Sequence, residues 1–135
     1  MPIVAEFTAD GRLRVVSMRG VVTAEEFIDY RAQLGRTRTP RHRVSFIDLS
    51  HVDRFEFGFG ELLVHAETVQ SNLSDRPEAF TEVIWAPSDA SFEMARMYQA
   101  LAVGEHIVHL HRDRDLARRL VRELLEEPAW EIPQQ

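Results

Sequence analysis

The chain has 135 residues, is 44% hydrophobic and 28% charged, and carries a formal net charge of −6. Those proportions fit one globular domain able to bury roughly 68–70% of its unfolded surface without covalent staples. There is no cysteine and every one of the 16 basic residues is arginine, which excludes disulfides, thiol nucleophiles, cysteine-ligated metals, Schiff-base lysines, a Walker A loop and the last-strand lysine of a receiver domain.

Ile3 to Phe7 and Leu13 to Met18 predict two strands, joined by the Ala9-Asp10-Gly11 turn into an antiparallel hairpin. Gly20 is expected to end the second strand, and Thr23-Ala24-Glu25-Glu26 has the capping-box spacing that starts a helix. Phe27, Tyr30, Arg31 and Leu34 give one face of that helix, with Ile28 beside it, and Gly35 closes it. Val44 to Leu49 is nearly continuous in apolar character, as expected of a strand covered on both faces. A loop then leads to a second helix, in which Leu62, Ala66, Val69 and Leu73 recur at helical spacing.

Phe80 to Trp85 predicts a fourth strand, broken by Ala86-Pro87. Ser88 or Asp89 caps a third helix with Phe92, Met94, Ala95, Tyr98 and Leu101 on its inner face, and Gly104 ends it. Ile107 to Leu110 is a short fifth strand. Asp113 or Asp115 caps a last helix packed by Leu116, Leu120, Val121, Leu124 and Leu125 as far as Pro128. The order β-β-α-β-α-β-α-β-α predicts an α/β fold, a mainly parallel five-stranded sheet with an antiparallel edge hairpin. Residues 1–127 are expected to form the core of a single domain and 128–135 a tail, whose Trp130 and Ile132 either fold back onto the sheet or dock on a second subunit of a homodimer.

That order, with Phe46-Ile47-Asp48-Leu49-Ser50 as a third strand and Gly58-Phe59-Gly60-Glu61-Leu62-Leu63 as a helix start, resembles the STAS domain, the fold of bacterial anti-sigma-factor antagonists. The resemblance spans nearly the whole chain and implies a non-catalytic regulatory domain of the bacterial cytoplasm that binds a protein partner and needs no cofactor. In the antagonists a phosphorylatable serine or threonine immediately precedes the helix-start glycine; the matching residue here is Phe57, after Glu56. Phenylalanine accepts no phosphate, so the family's kinase-controlled switch is not expected at this position. Glu56 carries less charge and fewer acceptor oxygens than a phosphate would. Trp85-Ala86-Pro87-Ser88-Asp89 and Met94-Ala95-Arg96-Met97-Tyr98 are also similar to a group of small bacterial proteins of this fold.

Open α/β sheets bind ligands and partners beyond the C-terminal ends of their strands. The expected partner surface is therefore Phe55, Glu56, Phe57, Gly58 and Phe59, where aromatic residues alternate beside acidic ones; the competing reading has the three phenylalanines closing the core over the second helix. A second expectation is a pocket for a small apolar ligand, built from Asp48, Trp85, Met94 and Tyr98.

Enzymatic constellations are weaker. His109 and His111 share a strand face and suit zinc or nickel, with a third ligand needed from His106 on the opposite face, or from distant His51, His65 or an acid; solvent-exposed histidines on an edge strand are the plainer reading. Asp48, Asp53 and Glu56 have the chemistry of an acid–base pair or of structural turn carboxylates. Ser50, His51 and Asp53 are triad residue types, but neighbours along an extended chain diverge, and no Gly-x-Ser-x-Gly elbow exists. Gly58-Phe59-Gly60 has Leu63 where a dinucleotide fingerprint needs its third glycine, and Glu56 and Glu61 would repel a phosphate.

The negative net charge argues against nucleic acid as a partner. Arg36, Arg38, Arg41 and Arg43, with His42, form a local basic cluster read as a solvated loop, and the arginines and glutamates of the last helix as a solvated helix face. No apolar run approaches the ~20 residues of a membrane span, and the first residues show no signal-peptide pattern, so the expected location is cytoplasmic.

Overall fold

The computed structural model describes residues 2–34, 42–73 and 80–134. Five strands and four α-helices follow in chain order: β1 (Ile3–Thr8), β2 (Leu13–Thr23), α1 (Ala24–Gln33), β3 (Val44–Glu56), α2 (Phe59–Leu73), β4 (Phe80–Trp85), α3 (Asp89–Leu101), β5 (His106–His111) and α4 (Arg114–Leu125). The sheet order is β1-β2-β3-β4-β5, with β1 antiparallel to β2 and every other pair parallel. The α/β architecture is thus the one expected. Its edge hairpin turns through Asp10 and Gly11, both left-handed (φ 58° and 83°), a conformation that aspartate and glycine tolerate.

Strands added always in the same direction through right-handed crossovers place their helices on one face of a sheet. Phe27 of α1, Leu62 and Ala66 of α2, and Ala95 and Tyr98 of α3 accordingly pack over Val16, Ile47 and Ile84 in one core. The other face is left to α4 and the tail, where Ala117, Val121 and Leu125 cover Val15, Phe46 and Val83. Leu116 and Leu124 of α4, expected in that core, stand exposed on its flank; Ala117 takes the inward position instead. The tail folds back within the chain. Trp130 meets Phe46 edge-on at 5.4 Å, Ile132 is buried, and Arg122 donates to the Trp130 carbonyl at 2.7 Å.

The caps settle the open choices of helix start. Thr23 Oγ1 accepts from the Glu26 N–H while Glu26 Oε1 accepts from the Thr23 N–H, a complete capping box. Ser88 caps α3 through the Ser91 N–H, and Asp113 caps α4 through the Leu116 N–H.

Two expectations need correction. Gly20 does not end β2, and β3 does not stop at Leu49: the two strands stay paired to Thr23 and Glu56. The β4 ladder stops at Asp48–Trp85, so the later part of β3 keeps β2 as its ladder partner. Between Ser17–Asp48 and Arg19–His51, and again between Gly20–Val52 and Val21–Arg54, β3 advances one residue more than β2. Each irregularity is a bulge on β3. Gly20 lies at these shifts with a left-handed φ of 67°, which glycine adopts without a Cβ penalty.

The arginines Arg36, Arg38 and Arg41, with Gly35, lie outside the described residues, as does the side chain of Leu73. His42, assigned to the same loop, is buried: its Nε2 is 2.9 Å from Ser45 Oγ, and its ring meets Phe7 and Phe80 edge-on.

Candidate functional site

The end of β3 meets α2 at Glu56-Phe57-Gly58-Phe59. Glu56 is exposed and Phe59, the first residue of α2, is 52% exposed. Phe55 and Phe57 turn the other way. Phe57 stacks on Phe27 of α1 with centroids 4.5 Å apart and meets Phe55 edge-on at 5.5 Å. The three phenylalanines therefore divide, two half-buried against the core and one to solvent. A Cβ added at Gly58 or Gly60 would meet nothing within 4 Å, so neither glycine marks a close backbone approach.

Phe55 and Phe57 wall an apolar cavity of about 50 Å³ between the sheet and α1, α2 and α3. Met94 and Tyr98, expected in a ligand pocket, are among its lining residues. Asp48 and Trp85 are not. The two pair side by side in the ladder, one residue on from Ile47 and Ile84, whose side chains line the cavity, so they point to the α4 side of the sheet. Trp85 packs with the α4 core, donates from its indole N–H to the Arg112 carbonyl at 3.2 Å, and has the Arg114 guanidinium 5.9 Å from its ring. Asp48 is buried, and its Oδ1 accepts from the Ser50 N–H at 2.9 Å and the Ser50 hydroxyl at 2.6 Å. That carboxylate ties down the first bulge.

The sequence reading missed a polar cluster beside this cavity. Arg14, Ser45 and Glu82 stand side by side across β2, β3 and β4, facing the three helices. Glu82 is 4% exposed; its Oε1 accepts from the Tyr98 hydroxyl and lies 2.5 Å from His106 Nε2. Burial pushes the Glu82 carboxyl up, but the hydrogen bonds from His106 and Tyr98 and the charge of His106 outweigh it and hold the carboxyl below its ordinary range. Burial, then the Glu82 charge, pushes the Tyr98 hydroxyl up, keeping it protonated.

Above the cluster lies His65 of α2, 5% exposed, with its ring 4.7 Å from Phe27, 5.8 Å from Tyr30 and 5.6 Å from Tyr98. Burial lowers its pKa from 6.5 to about 4, so it is neutral at pH 7. Among the described residues its Nδ1 and that of His106 are buried without hydrogen-bond partners. His65 and Tyr30 also border a second cavity of about 40 Å³, whose lining includes Arg14, His42, Ser45 and Glu82. One signal could have found the cluster: a glutamate inside the mostly apolar Phe80 to Trp85 strand is a charge that must find partners in the core.

The other constellations do not converge. Asp48, Asp53 and Glu56 are spread along one strand at about 3.3 Å per residue, with Asp48 buried and the other two exposed. Ser50 Oγ lies between Asp48 and His51 Nδ1 (3.0 Å), so the serine, not the histidine, occupies the middle of that chain of hydrogen bonds. His109 and His111 are half-buried on the α4 face, where burial and the neighbouring His109 lower the His111 pKa. His106 lies on the opposite face, and among the described residues no group of three or more histidines and carboxylates is placed to hold a metal ion. No helix of the described residues is long and apolar enough to cross a membrane.

No family model and no curated protein matches the sequence. Solved structures do. The anti-sigma factor antagonist SpoIIAA, in its unphosphorylated form, superposes with a TM-score of 0.58 at 11% identity, over 90% of this chain and 96% of that one. An uncharacterized protein of the DUF3478 family with a SpoIIAA-like fold, from Shewanella loihica PV-4, gives a TM-score of 0.50 at 17% identity, over 87% and 90% of the two chains. The fold is STAS-like. In this STAS-like frame the β3–α2 junction and the cavity behind it sit at the C-terminal edge of the parallel strands, the usual address for a partner or a ligand.

Proposed function

We propose that this chain is a STAS-like regulatory domain that binds a protein partner at the β3–α2 junction, without catalysis and without a phosphorylatable residue at Phe57. The observation that carries the reading is the placement of Phe59, a large aromatic residue 52% exposed at the start of α2, one helical turn before exposed Leu63 and beside exposed Glu56. An exposed aromatic anchor with an aliphatic neighbour and a polar rim is how protein-binding patches are composed. The likeness to SpoIIAA supports the regulatory part of the reading through the fold. A photo-crosslinking residue at position 59, compared with one at exposed Val4 on the far edge strand, tests it in cell extract. A discrete adduct at position 59 that Leu63→Glu abolishes is expected; identical adducts from both positions, or none from either, would remove the surface.

A second reading has its own observation. The cavity walled by Phe27, Phe55, Phe57, Met94 and Tyr98 fits a small apolar ligand better than the predicted site did, because all these side chains face one space.

A further inference from the structure

We propose that the cavity takes a small neutral molecule with an apolar body and one hydroxyl group, the hydroxyl anchored by the imidazole of His65 beside the Tyr98–Glu82–His106 cluster. The proposal rests on the second reading, that the cavity holds an apolar ligand, and adds the chemistry of its polar end.

The walls are apolar except at Tyr30, His65 and Tyr98: Met18, Ile47, Leu49 and Ile84 from the sheet, with Leu62, Met94 and Ala95 from the helices, offer no hydrogen bond. The Tyr30 hydroxyl is hydrogen-bonded with Arg14 and the Tyr98 hydroxyl is committed to Glu82, whereas the buried His65 Nδ1 has no partner among the described residues. A buried, unsatisfied ring nitrogen carries a desolvation cost, which a ligand relieves by pairing with it. A neutral imidazole presents one N–H and one lone pair, and a hydroxyl serves either tautomer because it both donates and accepts.

Charge narrows the choice further. The Glu82 charge is the largest acting on His65, ahead of the opposing charges of Arg31 and His106, and disfavours a carboxylate or phosphate ligand there. An ammonium would shed its water against hydrocarbon walls before reaching that carboxylate. A neutral hydroxyl escapes both costs. The cavity, at about 50 Å³, is a third of the ~150 Å³ that admits benzene, so a ligand with a ring-sized body enters by displacing the half-buried Met94 and Phe57 on the rim. Methionine, with its three rotatable side-chain bonds, suits a rim that must give way.

Fluorine NMR titrations at pH 7.5 separate the parts of this proposal, using 4-fluorophenol, fluorobenzene and 4-fluorobenzoate as probes. The intact protein should bind 4-fluorophenol saturably and about tenfold more tightly than fluorobenzene, with no saturable binding of 4-fluorobenzoate. His65→Leu should bring 4-fluorophenol to the fluorobenzene level, and Met94→Trp, which fills the mouth and leaves the anchor intact, should abolish both. Equal affinity for the phenol and fluorobenzene in the intact protein would overturn the anchor and leave the apolar cavity standing. No saturable binding of either at millimolar concentration would overturn both. Preference for the benzoate would overturn the assignment of a neutral ligand. If His65→Leu does not fold, the phenol-to-fluorobenzene ratio and Met94→Trp still decide.

Discussion

Acidification should unfold this protein partly through a single imidazole. His65 is buried among Phe27, Tyr30 and Tyr98, and burial lowers its pKa from 6.5 to about 4. Between those values the unfolded chain binds a proton that the folded chain refuses, so stability falls as the pH drops from 6.5 toward 4. One pKa unit corresponds to about 1.4 kcal/mol, which makes the loss about 2 kcal/mol by pH 5 and about 3 kcal/mol by pH 4. Glu82 acts later: its folded pKa is depressed, so its contribution is present above the ordinary carboxylate range and is lost below it as the pH falls through the folded value. The window from pH 6.5 to 5 therefore belongs to histidine. Urea unfolding of the wild-type chain and of His65→Leu at pH 7.5, 6 and 5 isolates the effect. The difference in unfolding free energy should shift in favour of the leucine variant by about 2 kcal/mol across this range. Parallel loss of stability in the two proteins would refute the reasoning.

Three further outcomes follow from the same structure. Glu82→Ala should destabilise by about 3–5 kcal/mol in chemical denaturation, because it strands the Tyr98 hydroxyl and the His106 ring in the core; combined with His106→Ala the loss should be clearly less than the sum of the two. Thr23→Ala removes one half of the capping box and should cost about 1 kcal/mol, read as faster amide exchange in the first turn of α1. Phe57→Ala, which breaks the stack on Phe27, should destabilise by about 2 kcal/mol, whereas exposed Phe59→Ser should stay within about 0.5 kcal/mol in thermal melts.

The element order was legible because each signal is local. The Thr23 capping box, the Ser88 and Asp113 caps, the Asp10-Gly11 turn and the apolar run from Val44 to Leu49 are each decided within a few residues. The second half of β3 was not legible, for a specific reason. Its two bulges space the inward residues Leu49, Val52 and Phe55 three apart where a regular strand would place them two apart, so the alternation that announces a strand is erased. Gly20 strengthened the error, since a left-handed glycine inside a strand reads in sequence as a stop.

The candidate site divides along the same line. The sequence by itself determined the α/β class, the resemblance to the STAS fold, and the β3–α2 junction as the place to look, because periodicity, caps and turn residues act over short range. Only the tertiary structure decided which side chains share a space. It turned Phe57 inward onto Phe27 and left Phe59 outside, sent Asp48 and Trp85 to the opposite face, and gathered Glu82, Tyr98, His106 and His65 from four different elements into one core. Those meetings depend on strand register and helix placement across as many as 41 residues of chain, from His65 to His106, and a contact between separate elements leaves no periodic trace in the sequence.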